Sequence, residues 1–133
     1  MNDRFRFRVF YKPEKEMIYD AQATYDNNGN IGSFYHTNFQ EVLDDKNCIV
    51  MQCTGLKDRN GKLIYEGDIV KIPDDYATYG QFACEKREVY WNEGFRLKPK
   101  WDARARGNWL EDTNELEVIG NIYENKELLD ERN

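Results

Sequence analysis

Residues 54–72 read Thr-Gly-Leu-Lys-Asp-Arg-Asn-Gly-Lys-Leu-Ile-Tyr-Glu-Gly-Asp-Ile-Val-Lys-Ile, and an Asn-Gly pair divides the first part of this run. The pair Asn60-Gly61 favours a two-residue hairpin turn, because Asn tolerates a positive φ angle and Gly adopts one without steric cost. Asp58 also suits a wider turn that ends in a left-handed Gly61. Both alternatives predict that residues 54–59 and 62–66 form paired antiparallel strands.

A further strand is expected directly after this hairpin. Over residues 68–72, Val70 and Ile72 alternate with Lys71, which places the two apolar side chains on one face and the charged one on the other. Pro73 is expected to end this strand, because proline has no N–H to donate to a sheet ladder. The centre of the sequence therefore predicts a small antiparallel sheet.

Three segments of the sequence resemble the signature of the YopX protein family, which is found in phages and prophages. They are residues 54–70, the run Val-Ile-Gly-Asn-Ile-Tyr-Glu-Asn at residues 118–125, and the opening Phe-Arg-Phe-Arg-Val-Phe at residues 5–10 with Lys-Glu-Met-Ile-Tyr-Asp at residues 15–20. The resemblance covers nearly the whole chain. It implies an SH3-like barrel in the C-terminal part and a prophage-encoded origin, and it carries no catalytic residue over to this chain.

The predicted fold is mainly β, with a small SH3-like antiparallel barrel and an N-terminal extension. We place the extension, a β-hairpin and a short helix, at residues 1–47 and the barrel at residues 48–133. In residues 4–9 arginines alternate with apolar residues, which predicts a strand with the arginines facing outward. The spacing of apolar residues in 39–43 predicts the helix, with Asn38 as its N-cap and Glu41 three residues on.

The composition disfavours several classes of partner. The net charge is −6, and residues 101–133 carry most of it, since four basic and nine acidic side chains give −5. This balance disfavours nucleic acid as a partner, because sequence-independent binding relies on neutralising phosphates. The opening residues lack the apolar region of a signal peptide, and no apolar run approaches a membrane span. Three cysteines, an odd count, fit reduced thiols, so we expect a cytoplasmic protein of a bacterial host with no membrane partner.

Aromatic residues of the C-terminal part are the candidate binding residues. They are Tyr76, Tyr79, Trp91, Phe95, Trp101 and Trp109. One interpretation is an exposed patch on which a peptide or single-stranded ligand stacks. The other is that the tryptophans close the open end of a small barrel, which needs large side chains there.

A carboxylate-dependent enzyme is the weaker alternative. Glu66, Asp68 and Asp58 are the nearest candidates for a metal-dependent hydrolase or nuclease, but acids are common in this chain. His36 has no recognisable partner motif, and paired Cys and His at short spacing are absent from the sequence. We therefore expect no catalytic residue, no metal site and no cofactor.

A binding or regulatory module, with an unknown protein or peptide partner, is the function that the sequence favours. The alternatives are the hydrolase or nuclease above and a structural or assembly protein of a mobile element. We also expect a homo-oligomer, because the strands expected at residues 5–11 and 82–91 look able to pair between chains.

Overall fold

The computed structural model describes residues 3–22, 36, 38–72, 86–98, 108–111 and 113–129. The strands in these ranges are β1 Phe7–Tyr11, β2 Glu16–Tyr19, β3 Cys48–Lys57, β4 Leu63–Tyr65, β5 Asp68–Lys71, β6 Lys86–Trp91, β7 Phe95–Leu97, β8 Asn108–Trp109 and β9 Glu117–Asn121. The helix α1 spans Phe39–Asp44, and short 3₁₀ turns lie at Asp3–Phe5, Thr113–Glu115 and Lys126–Leu129. The fold is mainly β, as predicted.

The chain divides into two compact units, Met1–Cys53 and Thr54–Asn133. Strand β3 runs through this boundary, so a single strand contributes residues to both units. The domain boundary that the sequence suggests, after residue 47, stays a prediction. In the described ranges, no helix combines the length and the apolar character that crossing a bilayer requires.

The first unit is an antiparallel sheet with a helix. Strand β1 lies between β2 and β3 and pairs with both in antiparallel register. A small apolar core forms from Val9, Ile18, Ala21 and Val42. The N-terminal hairpin and the short helix that the sequence predicts are both present.

The arginines of this hairpin depart from the predicted outward pattern. Arg8 is only 2 % exposed, and its guanidinium carbon lies 5.9 Å from the centroid of the Tyr19 ring, on the neighbouring strand β2. Phe5, expected to be half-buried in the strand, is 54 % exposed and belongs to the 3₁₀ turn before it. Arg6 binds Asp20 through two hydrogen bonds of 2.8 and 3.1 Å.

Helix α1 begins where the sequence predicts. Asn38 is the N-cap, with extended backbone angles, and its side chain accepts a hydrogen bond of 3.0 Å from the Glu41 backbone N–H. This bond satisfies one of the N–H groups that lack a partner in the first turn of any helix. Val42 points into the core of the first unit, so the helix is held by its cap and by burial.

The second unit is built around a five-stranded antiparallel sheet in the order β8-β7-β6-β5-β9, a small barrel-like arrangement as predicted. Its core consists of Ile64, Val70, Ile72, Val89, Leu97, Leu110 and Leu116. Val70 and Ile72 are buried while Lys71 is exposed, which confirms the alternation predicted for this strand.

The hairpin between β3 and β4 adopts the wider of the two predicted turns. Gly61 has φ of +80°, whereas the φ angle of Asn60 is not positive. The two-residue turn needs a positive φ at both residues, so the turn is not of that type. The Gly61 N–H donates to the Asp58 carbonyl at 3.0 Å, and the Asp58 N–H donates to the Lys62 carbonyl at 2.8 Å. A three-residue loop that ends in a left-handed glycine has this pattern.

The carboxylate of Asp58 joins this hairpin to a distant strand. Its Oδ1 accepts from the backbone N–H groups of Asn60 (2.8 Å) and Lys62 (2.9 Å), and its Oδ2 accepts from that of Val118 (2.9 Å). Asp58 is 5 % exposed. Because a buried carboxylate needs several donors to offset the loss of hydration, this arrangement fixes both the turn and the position of β9.

Asp58→Ala should lower the free energy of unfolding by about 2–4 kcal/mol, because three backbone donors lose their acceptor in a poorly hydrated place. Asp58→Asn should cost less, since its side-chain oxygen still accepts from the hairpin while its NH₂ group faces the Val118 donor. Urea unfolding of the two variants measures both effects. An alanine variant within about 0.5 kcal/mol of the wild type, the range of ordinary surface substitutions, would contradict the assignment.

Asp20→Asn should destabilise the protein by about 0.5–1 kcal/mol near pH 7, because the ion pair with Arg6 is partly exposed. The bond from Arg6 holds the pKa of Asp20 below its ordinary value of 3.8. The contribution is therefore complete above that value and is lost as the pH falls through the folded pKa. Asn also tolerates the φ of +56° at this position, so the substitution removes the charge and one of the two acceptors for Arg6 without straining the backbone.

Urea unfolding of the wild type and Asp20→Asn, at neutral pH and near pH 2.5, measures this dependence. We expect the difference between the two proteins to shrink towards zero at the lower pH. A difference that is equally large at both values would show that the Asp20 charge is not its source.

Candidate functional site

Three of the six predicted binding residues lie within the described ranges. Tyr76, Tyr79 and Trp101 lie outside the described residues. Trp91 and Phe95 flank the turn between β6 and β7, and Trp109 is the second residue of β8. The described part of the predicted patch is therefore the turn end of the β6–β7 hairpin and the strand beside it.

Trp91 and Phe95 lie directly opposite each other and form one aromatic pair. Their ring centroids are 5.0 Å apart in an edge-to-face arrangement with an interplanar angle of 80°. Phe95 packs against the core of the second unit, whereas Trp91 is 57 % exposed. This pair extends the core to the surface, which fits the interpretation that large side chains cover one end of the barrel.

Trp109 belongs to the opposite face of the same sheet. Its partner across the ladder is Arg96, and Arg96 follows Phe95 directly in β7. Because successive residues of a strand point to opposite faces, Trp109 and Arg96 face away from the Trp91–Phe95 pair. The sheet therefore separates the described tryptophans instead of joining them in one patch.

The indole of Trp109 is held in place by a cation and by a glycine. The guanidinium carbon of Arg96 lies 3.6 Å from the centroid of the ring, and Arg96 Nε donates to the Asn92 carbonyl at 2.8 Å. Gly94 has φ of +140°, and a Cβ at this residue would clash with Cζ3 of Trp109. The ring can occupy this position because residue 94 has no side chain.

Charged groups complete this face. Tyr90 is the ladder partner of Arg96, and the Lys98 ammonium lies 5.9 Å from the Tyr90 ring centroid and 3.7 Å from the Glu88 carboxylate. We call the set Trp109, Arg96, Tyr90, Lys98 and Glu88 the tryptophan surface. Trp109 is 51 % exposed within it, so a large apolar ring is presented among charged side chains.

The carboxylates expected for an enzyme have structural partners. Asp58 accepts three backbone N–H groups, and Asp68 Oδ2 accepts from the Tyr65 N–H at 2.7 Å in the turn between β4 and β5. Asp68 is 2 % exposed. Acceptors that already satisfy buried backbone donors are poorly placed to bind a metal ion or to activate water.

The strands expected to pair between chains are both internal. Strand β1 has β2 and β3 as neighbours, and β6 has β5 and β7. Neither offers a sheet edge, so the pairing proposed for the oligomer is wrong for these strands. The sequence suggested it because alternation alone does not distinguish a central strand from an edge strand. The oligomer itself stays a prediction.

A second polar cluster lies in the first unit, where the sequence suggested no site. His36 Nε2 lies 2.9 Å from Asp45 Oδ2, and Cys48 completes a group in which one ligand atom per residue lies within 4.8 Å of the others. His36 is 8 % exposed, and Asp45 and Cys48 are half-buried. Burial, followed by the charge of Asp45 and a hydrogen bond to it, raises the pKa of Cys48 to about 11.

The pKa of Asp45 lies below its ordinary value of 3.8. The Asn47 N–H, which donates to Asp45 Oδ1 at 2.8 Å, has the largest effect, and the His36 ring adds to it against the opposing effect of burial. Sequence patterns for metal sites look for pairs of Cys or His at short spacing. This cluster has one His, one Asp and one Cys, separated by nine and then three positions, so such patterns do not find it. The sequence held one indication of the cluster, because Asp45 lies at the end of the predicted helix. As the C-cap of α1, Asp45 stands where the chain leaves the helix and turns towards β3.

Gly94→Ala should move the Trp109 ring, because the new methyl group would clash with Cζ3 of the ring and the residue is strained at φ of +140°. The expected result is a displaced indole N–H resonance of Trp109 and a loss of about 1–3 kcal/mol of stability. A proton–nitrogen NMR spectrum and urea unfolding measure the two effects.

Gly61→Ala is the matched control for this substitution. Gly61 also has a positive φ, of +80°, but nothing lies within 4 Å of its added Cβ. This variant should lose stability through backbone strain while the Trp109 resonance stays in place. Equal displacement in both variants, or none in Gly94→Ala, would show that Gly94 does not position the ring.

Comparisons with known proteins match nearly all of the chain to one protein family and to two solved structures. The family model described as YopX protein matches residues 6–130. The crystal structure of protein EF1440 from Enterococcus faecalis is similar, with 31% sequence identity, a TM-score of 0.59 and coverage of 93% of this chain and 96% of that one. The crystal structure of protein yopX from Bacillus subtilis has 26% identity and a TM-score of 0.55, and covers 96% of this chain and 98% of that one. A comparison with curated proteins finds no match.

Proposed function

The chain belongs to the YopX protein family, and we propose that it is a non-catalytic binding module. Its ligand is an extended peptide segment of a partner protein, which lays an apolar or aromatic side chain on Trp109. The observation that carries this proposal is an indole 51 % exposed yet fixed from one side by a guanidinium 3.6 Å from its centroid.

Burial of a core does not account for the position of Trp109. Trp91 packs on Phe95, and Phe95 reaches the core, so Trp91 has a structural role. Trp109 instead lies beside Arg96 on the other face, where the neighbouring side chains are polar or charged. Exposing a large ring to water forgoes hydrophobic stabilisation, which favours a ligand that covers it.

The fixed ring lowers the cost of binding. A Trp side chain that already has one orientation loses little further freedom when a ligand stacks on it. Arg96 is 7 % exposed and bonded to the Asn92 carbonyl, so its guanidinium also keeps one position. Tryptophan and arginine are the residue types that most often dominate the binding energy of protein interfaces.

The hydrolase or nuclease alternative has less support. Asp58 and Asp68 serve buried backbone donors, as described above, and the net charge of −6 disfavours a nucleic-acid substrate. The assembly alternative needs strands other than β1 and β6, and among the described strands β2, β4, β8 and β9 lie at the ends of their sheets. We keep homo-oligomerisation through such an edge as part of the proposal.

The biological setting is likewise proposed. Family resemblance supports a prophage-encoded protein that acts in the cytoplasm of its bacterial host, on a partner of host or phage origin. In this setting a module that binds without catalysis would regulate its partner by occupying a peptide segment.

Selection from a displayed library of random peptides tests the proposed ligand class. Peptides enriched on the wild-type protein should carry apolar or aromatic residues, and Trp109→Ala should weaken their binding by about tenfold or more, as loss of a dominant interface residue does. Isothermal titration with a synthesised peptide from the selection measures the change.

Trp91→Ala is the matched control, because it removes an equally large and exposed ring from the opposite face of the same hairpin. Binding should persist in this variant. A library that yields no enriched peptide would contradict the proposed ligand class. Loss in Trp91→Ala with retention in Trp109→Ala would place the contact on the other face, among the residues Trp91 and Phe95.

A further inference from the structure

The strongest feature outside the proposed peptide surface is the cluster of His36, Asp45 and Cys48 in the first unit. It places an imidazole nitrogen, a carboxylate oxygen and a thiol sulfur within 4.8 Å of one another. Among the described residues, no other group of three or more His, Cys, Asp or Glu side chains is identified as able to hold a metal ion. The three ligand types together, more than their closeness, make this cluster chemically specific.

Local backbone structure fixes two of the three side chains relative to each other. Asp45 is the C-cap of α1, and its N–H donates to the Val42 carbonyl at 3.2 Å. The chain then turns at once, and the Cys48 N–H donates to the Asp45 carbonyl at 3.0 Å. This turn places the carboxylate and the thiol on the same side of the connection between α1 and β3.

Other contacts hold the carboxylate and the thiol in place. The Asn47 N–H donates to Asp45 Oδ1 at 2.8 Å, while Oδ2 is the atom that faces His36. Cys48 lies opposite Tyr11 in the ladder and packs against the core of the first unit. A ligand oriented by its neighbours binds a metal more tightly than a mobile one, because less freedom is lost on binding.

Zinc-class ions suit this donor set. A zinc ion bonds to His nitrogen at about 2.0–2.1 Å, to Cys sulfur at about 2.3 Å and to carboxylate oxygen at about 2.0–2.2 Å. Tetrahedral bonds of these lengths separate the ligand atoms by about 3.3–3.8 Å. The 2.9 Å contact between His36 and Asp45 would widen slightly, and the widest separation, at most 4.8 Å, would close by about an ångström. Side-chain rotations of modest size supply both changes.

We propose that His36, Asp45 and Cys48 bind a divalent transition-metal ion of the zinc class. The fourth position stays open to water or to a ligand atom. On binding, the Cys48 S–H bond breaks, its proton passes to solvent, and the sulfur forms a bond to the metal as thiolate. The hydrogen bond between His36 and Asp45 opens, and the imidazole binds as the neutral ring through its unprotonated nitrogen, with its one proton on the other nitrogen. The ion also neutralises the like charges of thiolate and carboxylate, which disfavour each other without it.

This site departs from the expectation, drawn from the sequence, that the chain holds no metal. That expectation rested on the absence of paired Cys and His at short spacing, the pattern of zinc-finger sites. A site with one ligand from each of three residue types does not produce such a pattern. The inference is independent of the peptide-binding function proposed for the second unit.

Titration of the chelator-treated full chain with Co²⁺ tests the proposal, because Co²⁺ replaces zinc and its bond to a thiolate gives an intense near-ultraviolet absorption. The wild type should bind one Co²⁺ per chain with this band, and Zn²⁺ should abolish it by displacement. Cys48→Ser should lose the band. His36→Ala should weaken Co²⁺ binding by at least about tenfold, because even the loss of a residue that only hydrogen-bonds to a metal ligand weakens metal binding by about 10–100-fold.

Cys53→Ser is the matched control, since Cys53 belongs to the same strand but not to the cluster. It should retain the band. Asp45→Asn, which keeps a side-chain oxygen for the Asn47 N–H, should weaken binding without unfolding the protein, so it tests the site even if Cys48→Ser fails to fold. No band in the wild type at millimolar Co²⁺, or a band that survives in Cys48→Ser, would overturn the proposal.

Discussion

Two oxygens of the buried carboxylate of Asp58 accept backbone N–H groups from two distant parts of the chain. One oxygen closes the turn that follows β3, and the other accepts from Val118, sixty positions along the sequence. Nearby, the Arg59 N–H donates to the Leu116 carbonyl at 2.8 Å, and the Thr113 hydroxyl donates to the Lys57 carbonyl at 2.8 Å. The closing strand of the second unit is therefore attached to the hairpin by polar bonds as well as by its apolar core.

The tryptophan surface depends on this attachment indirectly. Its strands β7 and β8 join the sheet through β6, and β6 is paired to β5, which in turn is paired to β9. A hairpin alone is marginally stable in water, so the orientation of Trp109 requires the whole sheet. The stable sheet holds the exposed Trp109 ring in one orientation before a ligand binds. The side chain therefore loses little conformational entropy on binding.

Local signals in the sequence were sufficient for much of the fold. Asn38 and Glu41 predict the start of α1, because an N-cap depends only on residues within four consecutive positions. Asp58 and Gly61 announce the wider turn for the same reason, although the sequence left the two-residue turn open. Arg8 was misplaced because outward alternation assumes one solvated face, and the middle strand of this sheet has none at that position.

The arrangement of candidate sites was beyond sequence reasoning for a physical reason. Which face carries Trp109 is set by its pairing with Arg96, a register between strands that local propensity does not encode. The cluster of His36, Asp45 and Cys48 likewise combines residues from separate places: Asp45 ends α1, Cys48 begins β3, and His36 comes from the chain before the helix. Family membership identifies the fold, while such sites require coordinates.

Native-state hydrogen exchange of the second unit tests most directly whether Asp58 holds the closing strand to the hairpin. We expect the amides of Asn60, Lys62 and Val118 to be strongly protected and to open with one common free energy, equal to that of the Leu110 amide bonded to Phe95. A Val118 amide that exchanges rapidly while the hairpin amides stay protected would contradict this expectation.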